Sequence, residues 1–120
     1  MDNFQFKRSD RVSQEVKEIM STIISSKVII PNSGLITITK VKTADNLRFS
    51  RIYLSFIGNN QEIDELVKAM NYNINEYRYN LGKKLEVKYV PQIKFYHDDT
   101  YEQMENINTL IHKTKNESNE

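Results

Sequence analysis

From Leu85 to Tyr96 the chain alternates. Leu85, Val87, Tyr89, Pro91, Ile93 and Phe95 take the odd positions, and Glu86, Lys88, Val90, Gln92, Lys94 and Tyr96 the even ones. A period of two puts successive side chains on opposite faces of a strand, so the pattern predicts one buried face and one wet, lysine-bearing face. Gly82 marks the stop of a preceding helix, and the basic pair Lys83-Lys84 follows it directly. Pro91 has no N–H to give to a ladder, which confines the strand to a sheet edge or bulges it near Val90. A sheet offering a basic surface to an anionic partner is the first implication.

The rest of the chain supplies the frame for that strand. Val12, Val16, Ile19, Met20, Ile23 and Ile24 build one apolar stripe at helical spacing, predicting a helix over about Asp10 to Ser25 with Ser9 or Asp10 as its cap. Lys7, Arg8 and Arg11 crowd its first turn, where the helix dipole disfavours cations; an anionic partner there would offset the cost. Pro31-Asn32-Ser33-Gly34 is a turn by composition. Leu35 to Lys42 and Arg51 to Ile57 read as strands joined in an antiparallel hairpin through Thr43 to Leu47, with Ile52, Leu54 and Phe56 on one face. Asn59 and Glu62 form a candidate capping box ahead of the stripe Ile63, Leu66, Val67 and Met70. Asn71 to Asn75 is poor helix material, because asparagine side chains compete for backbone hydrogen bonds, so a kink near Asn73 to Asn75 should separate two helical pieces. Thr100 and Gln103 open a last helix bearing Tyr101, Met104, Ile107, Leu110 and Ile111, and 113–120 reads as a frayed tail. The expected fold is α+β: helices on one face of a three-stranded sheet, the other face exposed, in one domain over 1–112.

Composition narrows the function. The 120 residues carry no cysteine, which removes disulfides, a thiolate nucleophile and a zinc ribbon together. No apolar run approaches the roughly 20 residues that span a bilayer, and the first residues lack a signal-peptide core, so a cytoplasmic protein is expected. His97 and His112 stand alone at element ends, Asp98-Asp99 suits a helix start, and three glycines leave no phosphate loop. No metal-ligand spacing, cofactor motif or catalytic constellation emerges, so no enzyme is expected. Charge is more telling. The net +1 hides 15 Lys/Arg against 10 Asp/Glu up to Tyr96, then 2 against 6 from His97 onward. A basic body precedes an acidic segment. Candidate phosphate contacts are Lys7, Arg8, Arg11, Arg48, Arg51, Arg78, Lys83, Lys84, Lys88 and Lys94. Tyr53, Tyr72, Tyr77, Tyr79 and Tyr96 are candidates for stacking on unpaired bases. Ordinary solvation and packing at the core rim are the competing explanations for any one of these side chains.

The order of elements resembles a type II KH domain, and the details resemble the ribosome-binding factor A family. The collinear matches are Arg8-Ser9-Asp10-Arg11-Val12, Ile36 to Val41, Leu47 to Ser55 with Gly58, Leu81 to Leu85, Val90-Pro91 and Phe95 to Asp99. The resemblance implies a bacterial assembly factor. Such a factor binds the immature 30S subunit, assists 16S rRNA maturation near its 5′-terminal helix, and leaves afterwards, a monomer when off the ribosome. Where KH domains carry a GxxG loop, the family has an Ala-x-Gly kink, and here Asn73-Ile74-Asn75 stands in its place. Asparagine tolerates the left-handed region, so Asn75 is expected to hold the kink. The glycine-less kink moves the expected contact surface to the start of the first helix with Arg78, Lys83 and Lys84. A KH-like module for another RNA, or a protein-interaction domain pairing through its exposed sheet, are the alternative functions.

Overall fold

The structure is a computed structural model that describes residues 7–27 and 30–100. The expected C-terminal helix beyond Thr100 and the tail at 113–120 lie outside the described residues. Six elements are formed: α1 (Arg8–Lys27), β1 (Leu35–Thr43), β2 (Phe49–Ile57), α2 (Ile63–Tyr72), α3 (Ile74–Lys84) and β3 (Gln92–His97). The sheet order is β1-β2-β3. β1 and β2 are antiparallel, and β3 runs parallel to β2 after the crossover through α2 and α3. This is the expected α+β arrangement, with helix–strand–strand–helix–helix–strand in order.

Helix α1 packs on β1 and α3 and buries Val12, Val16, Met20, Ile23 and Ile24 in one core with Ile38 of β1, Ile52, Leu54 and Phe56 of β2, Ile93 and Phe95 of β3, and Leu66, Met70 and Leu81. The helix starts two residues earlier than the stripe implies. Its cap is neither Ser9 nor Asp10 acting from outside the helix. Lys7 occupies the cap position, and the Asp10 carboxylate reaches back to accept its N–H (3.2 Å). Ser9 is buried and its hydroxyl donates to Asp45 instead (3.3 Å). A chain of hydroxyls, half-buried at Ser13 and buried at Thr43 and Ser50, then ties α1 to the hairpin. Ser13 Oγ accepts the Thr43 N–H (2.9 Å), and the Thr43 and Ser50 hydroxyls stand 2.8 Å apart.

Three further expectations need correction. The Asn59–Glu62 capping box does not form: the Asn59 amide donates to the Gln61 carbonyl (2.8 Å), and α2 begins only at Ile63. Gly82 is not a helix stop. Helix α3 runs on to Lys84, and Gly82 is where the following loop closes on it; a Cβ there would lie 3.0 Å from Val90 Cγ2. The alternating stretch is a strand only from Gln92 onward. Leu85 to Pro91 is irregular, with Leu85 and Pro91 buried as the pattern asks but Tyr89 58% exposed. Pro91 stands just outside the ladder, and β3 is an edge strand.

The asparagine-rich kink has a different geometry from that expected. Asn73 separates the helices with φ −100° and ψ 24°, in the sparsely used bridge region, while Asn75 is ordinary helix. Among the described non-glycine residues only Asn32 and Leu47 take positive φ. Asn71 has a structural task. Its side-chain amide donates to the Phe95 carbonyl (3.0 Å) and accepts the Phe95 N–H (2.8 Å), so it pairs with the free edge of β3 as a strand would. A buried edge residue thereby keeps both backbone groups satisfied. Asn71→Ala should lower stability by about 1–3 kcal/mol, the usual cost of orphaned buried polar groups, measured as a lower urea midpoint. An unchanged midpoint would mean that water replaces the pairing at no cost.

Beyond β3, Asp98 accepts hydrogen bonds from the Thr100 hydroxyl (2.6 Å) and N–H (3.1 Å) and from the Thr39 hydroxyl (2.6 Å). The bond from the Thr100 hydroxyl, then that from Thr39, lower its pKa from 3.8 to about 2. The charged form is favoured in the fold, so its contribution is present above the ordinary carboxylate pKa and is lost as pH falls through about 2. Asp98→Asn should therefore flatten the acid side of the stability–pH profile between about pH 4 and 2, relative to the parent protein.

Candidate nucleic-acid interface

Arg78 organises the site. It projects from α3, and its Nε donates to the Pro91 carbonyl (3.0 Å) while Nη2 donates to the Val90 carbonyl (2.7 Å). Those carbonyls have no strand partner, and the guanidinium fork matches two adjacent acceptors. Gln92 N–H donates to the Arg48 carbonyl (2.9 Å), which ties the same end of the loop to the hairpin turn. The segment from Val87 to Val90 is thus held as a wall with a groove on each side.

The first groove, about 250 Å³, lies where the α1 start, the hairpin turn and this wall meet; Arg8, Arg48 and Lys88 line it over a floor that includes Val12, Leu47 and Pro91. The turn that presents Arg48 is built by Leu47 at φ 62° and by the Asn46 side chain, which accepts the Arg48 N–H (3.0 Å). The second groove, about 630 Å³ and more open, runs along α3 past Asn75, Arg78, Tyr79, Gly82 and Lys83. Lys88 and Tyr89 border both. The Tyr89 ring has the Arg48 guanidinium 5.0 Å and the Lys88 ammonium 5.6 Å from its centroid, and Lys83 sits 4.6 Å over the Tyr79 ring. Exposed rings flanked by cations suit stacked bases with their phosphates.

The sequence candidates divide accordingly. Arg48 and Lys88 flank Tyr89, with Arg8 in the first groove and Lys83 in the second. Arg78 lines the second groove, but its guanidinium is committed to the loop carbonyls. Lys7 pairs with Asp45 (3.9 Å), an exposed contact of small energetic weight. Arg11 is exposed on α1 and lines neither groove. Lys84 turns away from its neighbour and shares a depression with Glu15, Glu18 and Glu86. Arg51 and Lys94 stand side by side on the sheet face away from the helices. Of the tyrosines, Tyr77 is core: it is buried, meets Phe95 edge-on at 5.5 Å, and burial pushes its phenol above its ordinary pKa. Tyr89 is the residue missed by sequence reasoning. The alternation assigned it to a buried strand face, and only Pro91, two residues on, hinted that the ladder begins later.

Among the described residues no group of three or more His, Cys, Asp or Glu side chains is placed to hold a metal ion, and no helix is long and apolar enough to cross a membrane. The order helix–strand–strand–helix–helix–strand on one three-stranded sheet defines an α+β domain of the KH-like fold class. The family profile "Ribosome-binding factor A" matches residues 8–111, and the chain belongs to that family. It is 32% identical over 104 residues to ribosome-binding factor A of Staphylococcus carnosus, covering 87% of this chain and 90% of the relative. The fold is similar to the solution structure of a Thermotoga maritima protein described as a putative ribosome-binding factor A (TM-score 0.67, 21% identity, 82% and 94% covered). It is similar also to a Thermus thermophilus ribosome-binding factor A homology model fitted into a cryo-electron-microscopy map of a 30S complex (TM-score 0.62, 14% identity, 72% and 90% covered).

If Arg78 holds the wall, Arg78→Met should destabilise the protein by about 1.5–3 kcal/mol, the range for hydrogen bonds to a charged group. Amide exchange should quicken selectively at Val87 to Val90. Lys88→Gln, at an exposed side chain, should do neither.

Proposed function

We propose that this protein binds the immature 30S ribosomal subunit through its 16S rRNA, using the Tyr89 corner, and assists rRNA maturation near the 5′-terminal helix. It acts by binding, as a cytoplasmic monomer when off the subunit, with no reaction of its own. The observation that carries this is the exposed Tyr89 ring flanked by Arg48 and Lys88, with Arg8 lining the groove on one side and Lys83 the groove on the other, in a chain of this family. The Thermus relative fitted into a 30S complex supports the same partner. A factor of this kind works by holding one rRNA conformation more tightly than another, which shifts the population towards it. Its departure then requires only that the matured conformation offer fewer contacts. Four phosphate contacts would make the logarithm of affinity fall with that of salt at a slope of about −3 to −4.

The divided lysine pair provides the test. Lys83→Glu and Lys88→Glu should each weaken co-sedimentation with immature small subunits and reduce the salt slope. Lys84→Glu should leave both nearly unchanged. Equal losses at Lys83 and Lys84 would assign the effect to bulk charge and sink the corner as the contact surface.

A further inference from the structure

The sheet has a second face, and among the described residues no helix lies on it. The register places its outward side chains in cross-strand rows. Lys42, Arg51 and Lys94 form one row across all three strands. Lys40, Tyr53 and Tyr96 form the next. Tyr53 and Tyr96 are stacked at 5.6 Å with 30° between their planes. Lys40 lies 4.6 Å from the Tyr53 ring centroid and Lys94 lies 5.5 Å from that of Tyr96.

We propose that this open sheet face is a second nucleic-acid site, one that takes unpaired RNA bases by stacking on Tyr53 and Tyr96 while Lys42, Arg51 and Lys94 meet the phosphates. It lies apart from the Tyr89 corner and does not rest on the 30S reading, since a free single strand is enough to occupy it. The charge row carries the argument. Like charges directly opposite on neighbouring strands destabilise a sheet, and here three cations are aligned. None of the three makes an ion pair among the described residues. An anionic ligand supplies the missing compensation. The rings determine which anion. Neighbouring strands lie about 4.8 Å apart, so two aromatic side chains in register give a platform on the scale of a base step. Each ring already holds an ammonium near its face. An arriving base takes that place, and the displaced lysine is then free to turn to the phosphate beside it. Asp98, bonded to Thr39 beyond Lys40, closes the far end of the face with negative charge and sets the limit of the track.

The experiment uses the full chain with a labelled ten-nucleotide oligoadenylate, followed by fluorescence anisotropy and by amide shifts of isotope-labelled protein. Shifts should cluster at Lys40, Lys42, Arg51, Tyr53, Lys94 and Tyr96. Tyr96→Ser should weaken binding about 5- to 100-fold with the salt slope unchanged. Lys42→Gln and Lys94→Gln, both at exposed positions that spare the fold, should each reduce the slope by about 0.7. A duplex RNA of the same length should bind more weakly. Shifts confined to the Tyr89 corner, equal binding of duplex, or full affinity in Lys42→Gln and Lys94→Gln would overturn the site and leave the 30S reading standing. So would shifts at this face on replacing Glu102, Glu105, Glu117 and Glu120 by Gln in RNA-free protein, with none on adding RNA. That result would make the acidic C-terminal segment the occupant. Loss of 30S association in Lys83→Glu with intact oligoadenylate binding would separate the two surfaces.

Discussion

The clamp between Arg78 and the Val90 and Pro91 carbonyls is the contact on which the rest of the molecule depends. A chain leaving α3 at Lys84 must return to the sheet edge and enter a parallel strand at Gln92. Proline at 91 denies that return one ladder hydrogen bond, and irregular backbone leaves carbonyls without partners. One guanidinium answers both carbonyls and cross-links helix to strand entry. The close approach at Gly82 is part of the same arrangement, because a side chain there would push Val90 away. With the loop pinned at its end and against α3, its middle has only one way to go, outward, and that is why Lys88 and Tyr89 stand at the corner. A positive side chain spent on structure thus creates the exposure of its neighbours.

What was legible in the sequence follows the strength of periodicity. The stripe Val12, Val16, Met20, Ile23 spans a whole helix, and the triplet Ile52, Leu54, Phe56 spans a central strand; both are where the pattern places them because burial enforces them at every step. Local polar chemistry was less legible. Asp10 caps from inside the helix, Asn59 bonds a neighbouring carbonyl, and Asn71 serves a strand 24 residues away. Each side chain can meet more than one backbone partner, and tertiary position decides between them. The alternation from Leu85 misled for a related reason. Leu85 is buried in the core and Pro91 under the groove beside α1 and the hairpin turn, so a two-residue period arises there without any ladder.

The open face of the sheet owes its character to a bulge. The pairing of β1 with β2 slips between Ile38 and Lys40, leaving Thr39 as the extra residue. Without the slip, Ile38 inward would put Lys40 inward and Val41 outward. With it, Lys40 and Lys42 face out beside Tyr53 and Arg51 while Val41 and Thr43 turn towards α1. The change of phase is written in the residues, since Ile36 and Ile38 occupy even positions but Val41 and Thr43 odd ones. A strand that switches phase in this way re-aims its side chains, which is what bulges near binding surfaces do. The hydroxyl of Thr39 is not left idle, because it donates to Asp98 and so ties the bulge to the end of β3.

The kink without glycine constrains the manner of binding proposed above. A GxxG loop brings backbone N–H groups against phosphates, and only glycine lets the chain come so close. Here the turn is made by Asn73 in the bridge region, Asn75 carries on the helix, and no residue of the kink offers that approach. On the proposed reading, contact comes from the tips of long side chains: Arg8, Arg48, Lys83 and Lys88, with the Tyr79 and Tyr89 rings among them. Such a grip is sensitive to salt and tolerant of shape, and it is built from several modest contacts in place of one rigid clamp. A grip of that kind can be released by small changes in the arrangement of the phosphates it holds. That property suits a protein whose proposed partner is a maturing RNA, bound in one conformation and let go in the next.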